Sequence, residues 1–162
     1  MLTYDEVANH EDRKDPKGTI RLFLRVLNQL AMNKDEAMEM IPIFFPKNQL
    51  NESGTTRSGF ALRSSDSYLV EQLLQKPNVV PSYLGGTPDN EYTPSGELEP
   101  VFIEGRPTVI SEKEAKIFIR SGGKDNPTPV GLKRNKHGIW KIFNWSSIAT
   151  GVKPPASTAD DF

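Results

Sequence analysis

Between Pro77 and Pro107 the chain carries six prolines (77, 81, 88, 94, 100 and 107) and four glycines (85, 86, 96 and 105). No continuous helix crosses such a stretch, because an interior proline removes a backbone hydrogen bond and clashes with the preceding turn. No central strand crosses it either, because proline cannot donate to the ladder. The chain must therefore finish one set of elements before residue 77 and begin another after residue 107. A connection of this length inside a compact domain is either functional or disordered.

Upstream the pattern is helical. From Lys17 to Met32, Ile20, Phe23, Leu24, Leu27, Leu30 and Ala31 form one stripe, with Arg21, Arg25, Asn28 and Gln29 mostly off it. Asn33 is placed to cap a second helix beginning at Lys34, with Asp35 and Glu36 at its positive end; Pro42 or Pro46 ends it. Residues 47–59 read as loop. A third helix is predicted from Phe60 to Gln75 through Leu62, Leu69, Val70, Leu73 and Leu74, capped by Ser65, Asp66 or Ser67 and stopped by Pro77.

Downstream the period changes to two. Ala115, Ile117 and Ile119 alternate with polar or outward residues, as do Val130, Leu132 and Arg134, and then Ile139, Lys141, Phe143 and Trp145. Asn135–Gly138 supplies a tight turn between the last two runs. Trp140 faces away from Trp145 if the third run stays extended, so that strand is expected to be covered on both faces or to use one face for binding. The fold class is α+β, with N-terminal helices packed on a C-terminal, mainly antiparallel sheet. The expected organisation is a polar segment (1–16), a single domain (17–150) and a flexible tail (151–162) rich in proline and small residues. Within the domain, the helical part runs over 17–76, the loop over 77–107 and the sheet over 108–150.

The 162 residues suffice for one real core, and 20 basic against 21 acidic residues leave a formal charge of −1. That balance argues against nucleic acid as a partner, and the local cluster of Lys133, Arg134, Lys136, His137 and Lys141 reads as a solvated hairpin face. The absence of cysteine excludes disulfides, thiol nucleophiles and thiolate metal sites. No apolar run is long enough to cross a bilayer, and the first residues turn polar at once, with no signal-peptide core. A cytoplasmic location is expected, unless a dedicated machine exports the chain without a cleaved signal.

Two loops invite chemical readings: Ser82–Pro94 (SYLGGTPDNEYTP) and Arg120–Pro129 (RSGGKDNPTP). The second lacks the phosphate-loop spacing, Asp125 follows Lys124 where Ser or Thr is required, and Pro127 and Pro129 forbid the helix that would hold phosphate. Ser121 and Lys124 spell S-x-x-K, but two intervening glycines remove the helical turn that activation needs. His10 and His137 have no ligand at metal spacing, and no GxSxG elbow is present. No cofactor is expected. What remains is conformational: Gly-Gly for close backbone approach, Asp-Asn for local hydrogen bonds and proline for stiffness. Such turns either serve structure alone or present polar groups for binding.

Together with the tryptophan strand and the ending SSIATGVKPP, the two loops resemble an uncharacterised bacterial domain family. Its members carry Ser-Tyr, then Gly-x-Thr-Pro-x-Asn-x-Tyr, then Ser-Gly-Gly-x-Asp-x-Pro-x-Pro, a Leu-(Lys/Arg) strand and a Trp…Ser-Ser…Pro ending. The resemblance spans roughly Lys17–Pro155, with Lys124 standing where a small residue is the pattern and Thr128 where arginine is. It implies one structural unit built from both loops and the Trp140 strand, and it implies no activity. At the level of shape, cystatin-like and nuclear-transport-factor-like α+β folds are similar.

The function expected is a non-catalytic protein-interaction module: an accessory, structural or immunity component of a bacterial secretion or phage-like assembly. Its partner would be another protein, a second copy or a larger assembly, with neither nucleic acid nor membrane involved. Candidate binding residues are Tyr83, Asp89, Asn90, Tyr92, Arg120, Asp125, Asn126, Lys133, Trp140 and Trp145. The alternative is a small-molecule pocket between helices and sheet, catalytic or not, with Asp89, Asp125, Arg120 or Lys133 as its polar groups.

Overall fold

A computed structural model describes residues 1–104 and 110–158. Residues 105–107 of the expected loop, 108–109 of the expected sheet segment and 159–162 of the tail lie outside the described residues.

The helical half is built around α2 (Pro16–Gln29). Asp15 caps it, its Oδ2 accepting from the Gly18 amide at 2.7 Å, and Pro16 occupies the first turn, where no donor is lost. α2 is enclosed well beyond a single stripe: Ile20, Leu22, Phe23, Leu24, Val26 and Leu27 are all buried. The Phe23 ring meets Phe44 at 5.2 Å, Trp145 at 5.4 Å and Phe45 at 5.8 Å between centroids, so residues far apart in sequence share one aromatic cluster. α3 (Lys34–Met40) starts where the sequence placed it, with the Asn33 side chain accepting from the Glu36 amide. Ile41–Phe44 then tightens into a 3₁₀ turn containing Pro42.

Three local readings are corrected. The N-terminal segment is part of the packed domain: α1 (Tyr4–Ala8) buries Val7, and Gln29 exchanges hydrogen bonds with the backbone of Leu2. Phe60–Leu62 is not helical but forms strand β2, antiparallel to β1 (Leu50–Glu52), with Leu50 opposite Leu62. Phe60 and Leu62 are two residues apart, a strand spacing, and Gly59 at φ +81° turns the chain into β2. Helix α4 therefore begins later, at Ser64, and runs to Gln75; none of Ser65, Asp66 or Ser67 caps it. Asp66 instead accepts the Trp145 indole N–H at 2.9 Å.

The second half is an antiparallel sheet in the order β3 (Glu114–Ile119), β4 (Thr128–Arg134), β5 (Trp140–Asn144). Ala115, Ile117, Ile119, Val130, Leu132, Trp140 and Ile142 are buried on its inner face against the helices. The free side of β3 is closed by Val101–Ile103: the Ile103 amide donates to Phe118, and Arg120 donates to Val101. The turn at Asn135–Gly138 forms as expected, with the Asn135 side chain accepting from two amides and Gly138 at φ +77°.

Both tryptophans are buried without the strand being covered twice. The pairing slips between Gly131 and Leu132: Leu132 faces Ile142, Gly131 faces Asn144, and Phe143 is the extra residue. This β-bulge breaks the alternation, ends the strand at Asn144, and lets Trp145 turn back into the core. The architecture is an α+β fold. Replacing Asp66 by alanine leaves the Trp145 N–H without its acceptor, and urea unfolding is expected to show a loss of about 1–3 kcal/mol. Trp145→Ala should lose more, about 3–5 kcal/mol.

Candidate functional site

The two glycine-rich loops and the tail form one interlocked unit. The Gly122 amide donates to the Ser82 carbonyl at 2.7 Å, and in the interior Ser121 Oγ donates to Ser82 Oγ at 2.7 Å and Ser82 Oγ to the Val79 carbonyl. Here the glycines are required by space. A Cβ on Gly122 would run into the Gly86 carbonyl, one on Gly123 into the Tyr92 hydroxyl and the Val152 side chain, and one on Gly86 would sit 2.8 Å from the Pro81 carbonyl. Asn90 closes a capping box with Thr87. The Lys124 ammonium is not bonded to the Ser121 hydroxyl; it donates to Thr128 Oγ1 at 3.0 Å and to the Ser147 carbonyl. The two positions that depart from the family pattern are thus bonded to each other. Burial lowers the Lys124 pKa, and burial raises the Tyr83 hydroxyl to about 12.

The tail corrects the expectation of a free extension as far as residue 158. Lys153 donates its amide to Gly123, its carbonyl accepts from Tyr92 Oη and Asn78 Nδ2, and its ammonium lies 2.9 Å from Asp125. The Ala156 amide bonds to Pro88, and Ser157 to Glu91. Backbone groups on both loops fix this path, which composition alone does not reveal.

The predicted binding residues accordingly separate. Tyr83, Tyr92, Trp140 and Trp145 are buried, none more than 6% exposed, which corrects their reading as surface anchors. Asp89, Asn90, Arg120, Asp125 and Asn126 remain exposed around the interlocked loops, Asn90 and Asp125 already engaged as described. Lys133 alone lies on the outer face of the sheet, so the four polar groups assigned to a shared pocket do not come together.

That outer face carries the concave surface which sequence reasoning missed. A trough of about 480 Å³ runs along it, with Pro129 and Gly131 of the middle strand forming its low floor between Glu114 and Lys116 on one side and Phe143 and Asn144 on the other. Alternation with the inward Trp140 and Ile142 turns Phe143 outward, 42% exposed, and the Lys133 ammonium stands 3.8 Å from its ring centroid. The run ending in Phe143 and Trp145 signalled an aromatic strand, but the slip that sorts one ring out and the other in lies in the partner strand's register.

Beyond Phe143 lies a second basin of about 560 Å³, lined by Pro46, Lys47, Asn48, Lys133, Arg134, Lys136, His137 and Lys141 among others. The hairpin cluster is thus joined by Lys47 from the helical half, and Lys141 is half-buried rather than solvated. Its Nζ donates to the Ile43 carbonyl at 2.8 Å. Burial first, then the nearby charges of Arg13 and Lys47, push the Lys141 pKa down to about 8. Among the described residues no three His, Cys, Asp or Glu side chains gather as a metal site would require. No described helix is long and apolar enough to cross a membrane.

Two stability tests follow from these contacts. Gly122→Ala should destabilise by about 1–3 kcal/mol through overpacking, whereas Gly96→Ala, in open space, should be neutral or stabilise by up to about 1 kcal/mol; thermal melts distinguish them. Between pH 8 and the ordinary lysine value of 10.5 the unfolded chain binds more protons at Lys141 than the folded chain, so stability rises with pH across that window. Lys141→Met removes the charge that folding disfavours. It should raise the melting temperature at pH 7 by about 2–4 °C, with a smaller gap at pH 10.

No curated protein and no solved structure matches the chain. The family whose pattern does match covers residues 3–156, both loops, the bulged sheet and the docked tail included. The chain belongs to the family described as Domain of unknown function (DUF6935).

Proposed function

We propose that this chain is a non-catalytic protein-interaction module that meets its partner through the outer face of the β3–β4–β5 sheet. One observation carries the reading: Phe143, a large aromatic, is held outward at a β-bulge above a trough whose floor is Gly131 and Pro129. An exposed ring beside a concavity, rimmed by Lys116, Lys133 and Glu114, has the makeup of an interface centre: an aromatic anchor surrounded by polar residues. The interlocked loops then serve as the support that fixes the sheet, rather than as the contact itself. Rigid packing under a shallow surface suits recognition of a preformed partner with little rearrangement.

The reading is tested by affinity capture of the tagged full chain from its native host with cross-linking and mass spectrometry. A stoichiometric protein partner is expected, cross-linked to Lys116 or Lys133. Phe143→Ala should reduce its recovery at least about tenfold, as loss of an interface anchor does, without lowering the melting temperature. Tyr68→Ala, which removes another exposed ring on α4, should leave recovery unchanged. A chain recovered alone, or a partner retained by Phe143→Ala, defeats the proposal.

A further inference from the structure

The basin beside Phe143 gathers several cations around one hollow. Other cations on the surface meet carboxylates: Arg21 and Arg25 share Glu99 at 2.8 and 2.9 Å, Lys17 meets Glu104 at 2.6 Å, and Lys153 meets Asp125. In the basin, no carboxylate is among the described lining residues. Lys141 is fixed on the Ile43 carbonyl, Lys133 on the face of Phe143, and Lys47 stands 5.7 Å from the Phe60 ring centroid. Glu114, 4.0 Å from Lys133, lines the neighbouring trough rather than the basin. Carbonyl and π-face contacts position an ammonium without cancelling its charge, so Lys47 and Lys141 are oriented with no carboxylate to neutralise them.

Lys47, Lys133, Arg134, Lys136 and Lys141, with His137, surround about 560 Å³, a volume in the range of small-molecule sites. They converge on one hollow from two sequence-distant segments instead of tracking along a stripe, as a nucleic-acid backbone requires. So much fixed positive charge around so small a volume calls for a ligand with high negative charge density. Phosphate supplies up to about two charges per group, where an acidic peptide supplies one per side chain. We infer that this basin is a binding site for a soluble, phosphate-bearing small molecule carrying several negative charges. The site is independent of the protein contact proposed above, although Lys133 and Phe143 border both. Burial depresses the Lys141 pKa first and the charges of Arg13 and Lys47 add to it; a bound anion would offset the charge contribution.

Calorimetric titration of the full chain with inorganic tripolyphosphate, at low and at near-physiological salt, tests the inference. One-to-one binding is expected, together with a raised melting temperature. Lys47→Gln, at an exposed position whose loss should not affect folding, and Lys141→Met should each weaken binding about tenfold or more, the scale of one charged hydrogen bond. Lys116→Gln, in the neighbouring trough, should leave binding unchanged. Failure of tripolyphosphate to bind overturns the inference, as does an equal loss with Lys116→Gln, which would mark diffuse surface attraction. Tighter binding of a short polyglutamate or of single-stranded DNA than of tripolyphosphate would also overturn it and assign the basin to that ligand. None of these outcomes bears on whether Phe143→Ala releases a protein partner, so the two proposals stand or fall separately.

Discussion

The packing of Phe23 against Phe44, Phe45 and Trp145 is the contact on which the rest of the structure depends. These rings come from the central helix, the turn after α3 and the residue just past β5, so one cluster joins the helical half to the sheet. Each ring brings a large apolar area out of water, and edge-on geometry adds to that burial. Trp145 can join only because β5 stops at Asn144, and β5 stops there because its pairing with β4 slips by one residue. Phe143 points to solvent by plain alternation with Trp140 and Ile142, and the slip is what keeps Trp145 from following it. Core closure by Trp145 thus depends on one backbone irregularity.

A second constraint acts at the same end of the sheet, where β3 ends and β4 begins. The loops after α4 and after β3 approach so closely that glycine is the only residue with room at positions 86, 122 and 123. Their backbone groups then have one another, and the tail, as partners, which is how a connection so rich in proline satisfies its polar groups without regular structure. Over its described residues, 77–104, the stretch that forms neither long helix nor central strand is held in place by these bonds. It is a packed corner.

Much of this was legible in the residues. The stripe from Ile20 to Leu27, the Asn33 cap, the alternation from Ala115 to Ile119 and the turn at Asn135–Gly138 are local patterns with local causes, and all four appear where their chemistry puts them. Phe60–Leu62 misled because three residues cannot distinguish a strand from the first turn of an adjoining helix, and its partner β1 is itself only three residues long. The candidate site was less legible. Aromatic and acidic residues in the loops are common to interfaces and to packed corners, and only burial separates them. Tyr83, with its hydroxyl on the Ile148 carbonyl at 2.8 Å, belongs to the corner. Lys133 was the one candidate on the exposed sheet face; Lys141 was grouped with the hairpin cations but read as solvated, and Lys47 was missed because the approach of a distant segment, not spacing, brings it to them.

The distribution of charge carries the last step. A chain with 20 cations, 21 carboxylates and a formal charge of −1 has enough acid to neutralise every basic group it folds together, and at Arg21, Arg25, Lys17 and Lys153 it does so. Gathering Lys47 and Lys141 beside the hairpin cations, and holding them by ring faces and a carbonyl, is therefore not forced by composition. Hydrophobic burial does not require it either, since Lys141 sits at a sheet position where an apolar side chain would remove the penalty. An arrangement that weakens the fold, and that neither core nor sheet needs, is what a site kept for an anionic ligand looks like before the ligand arrives.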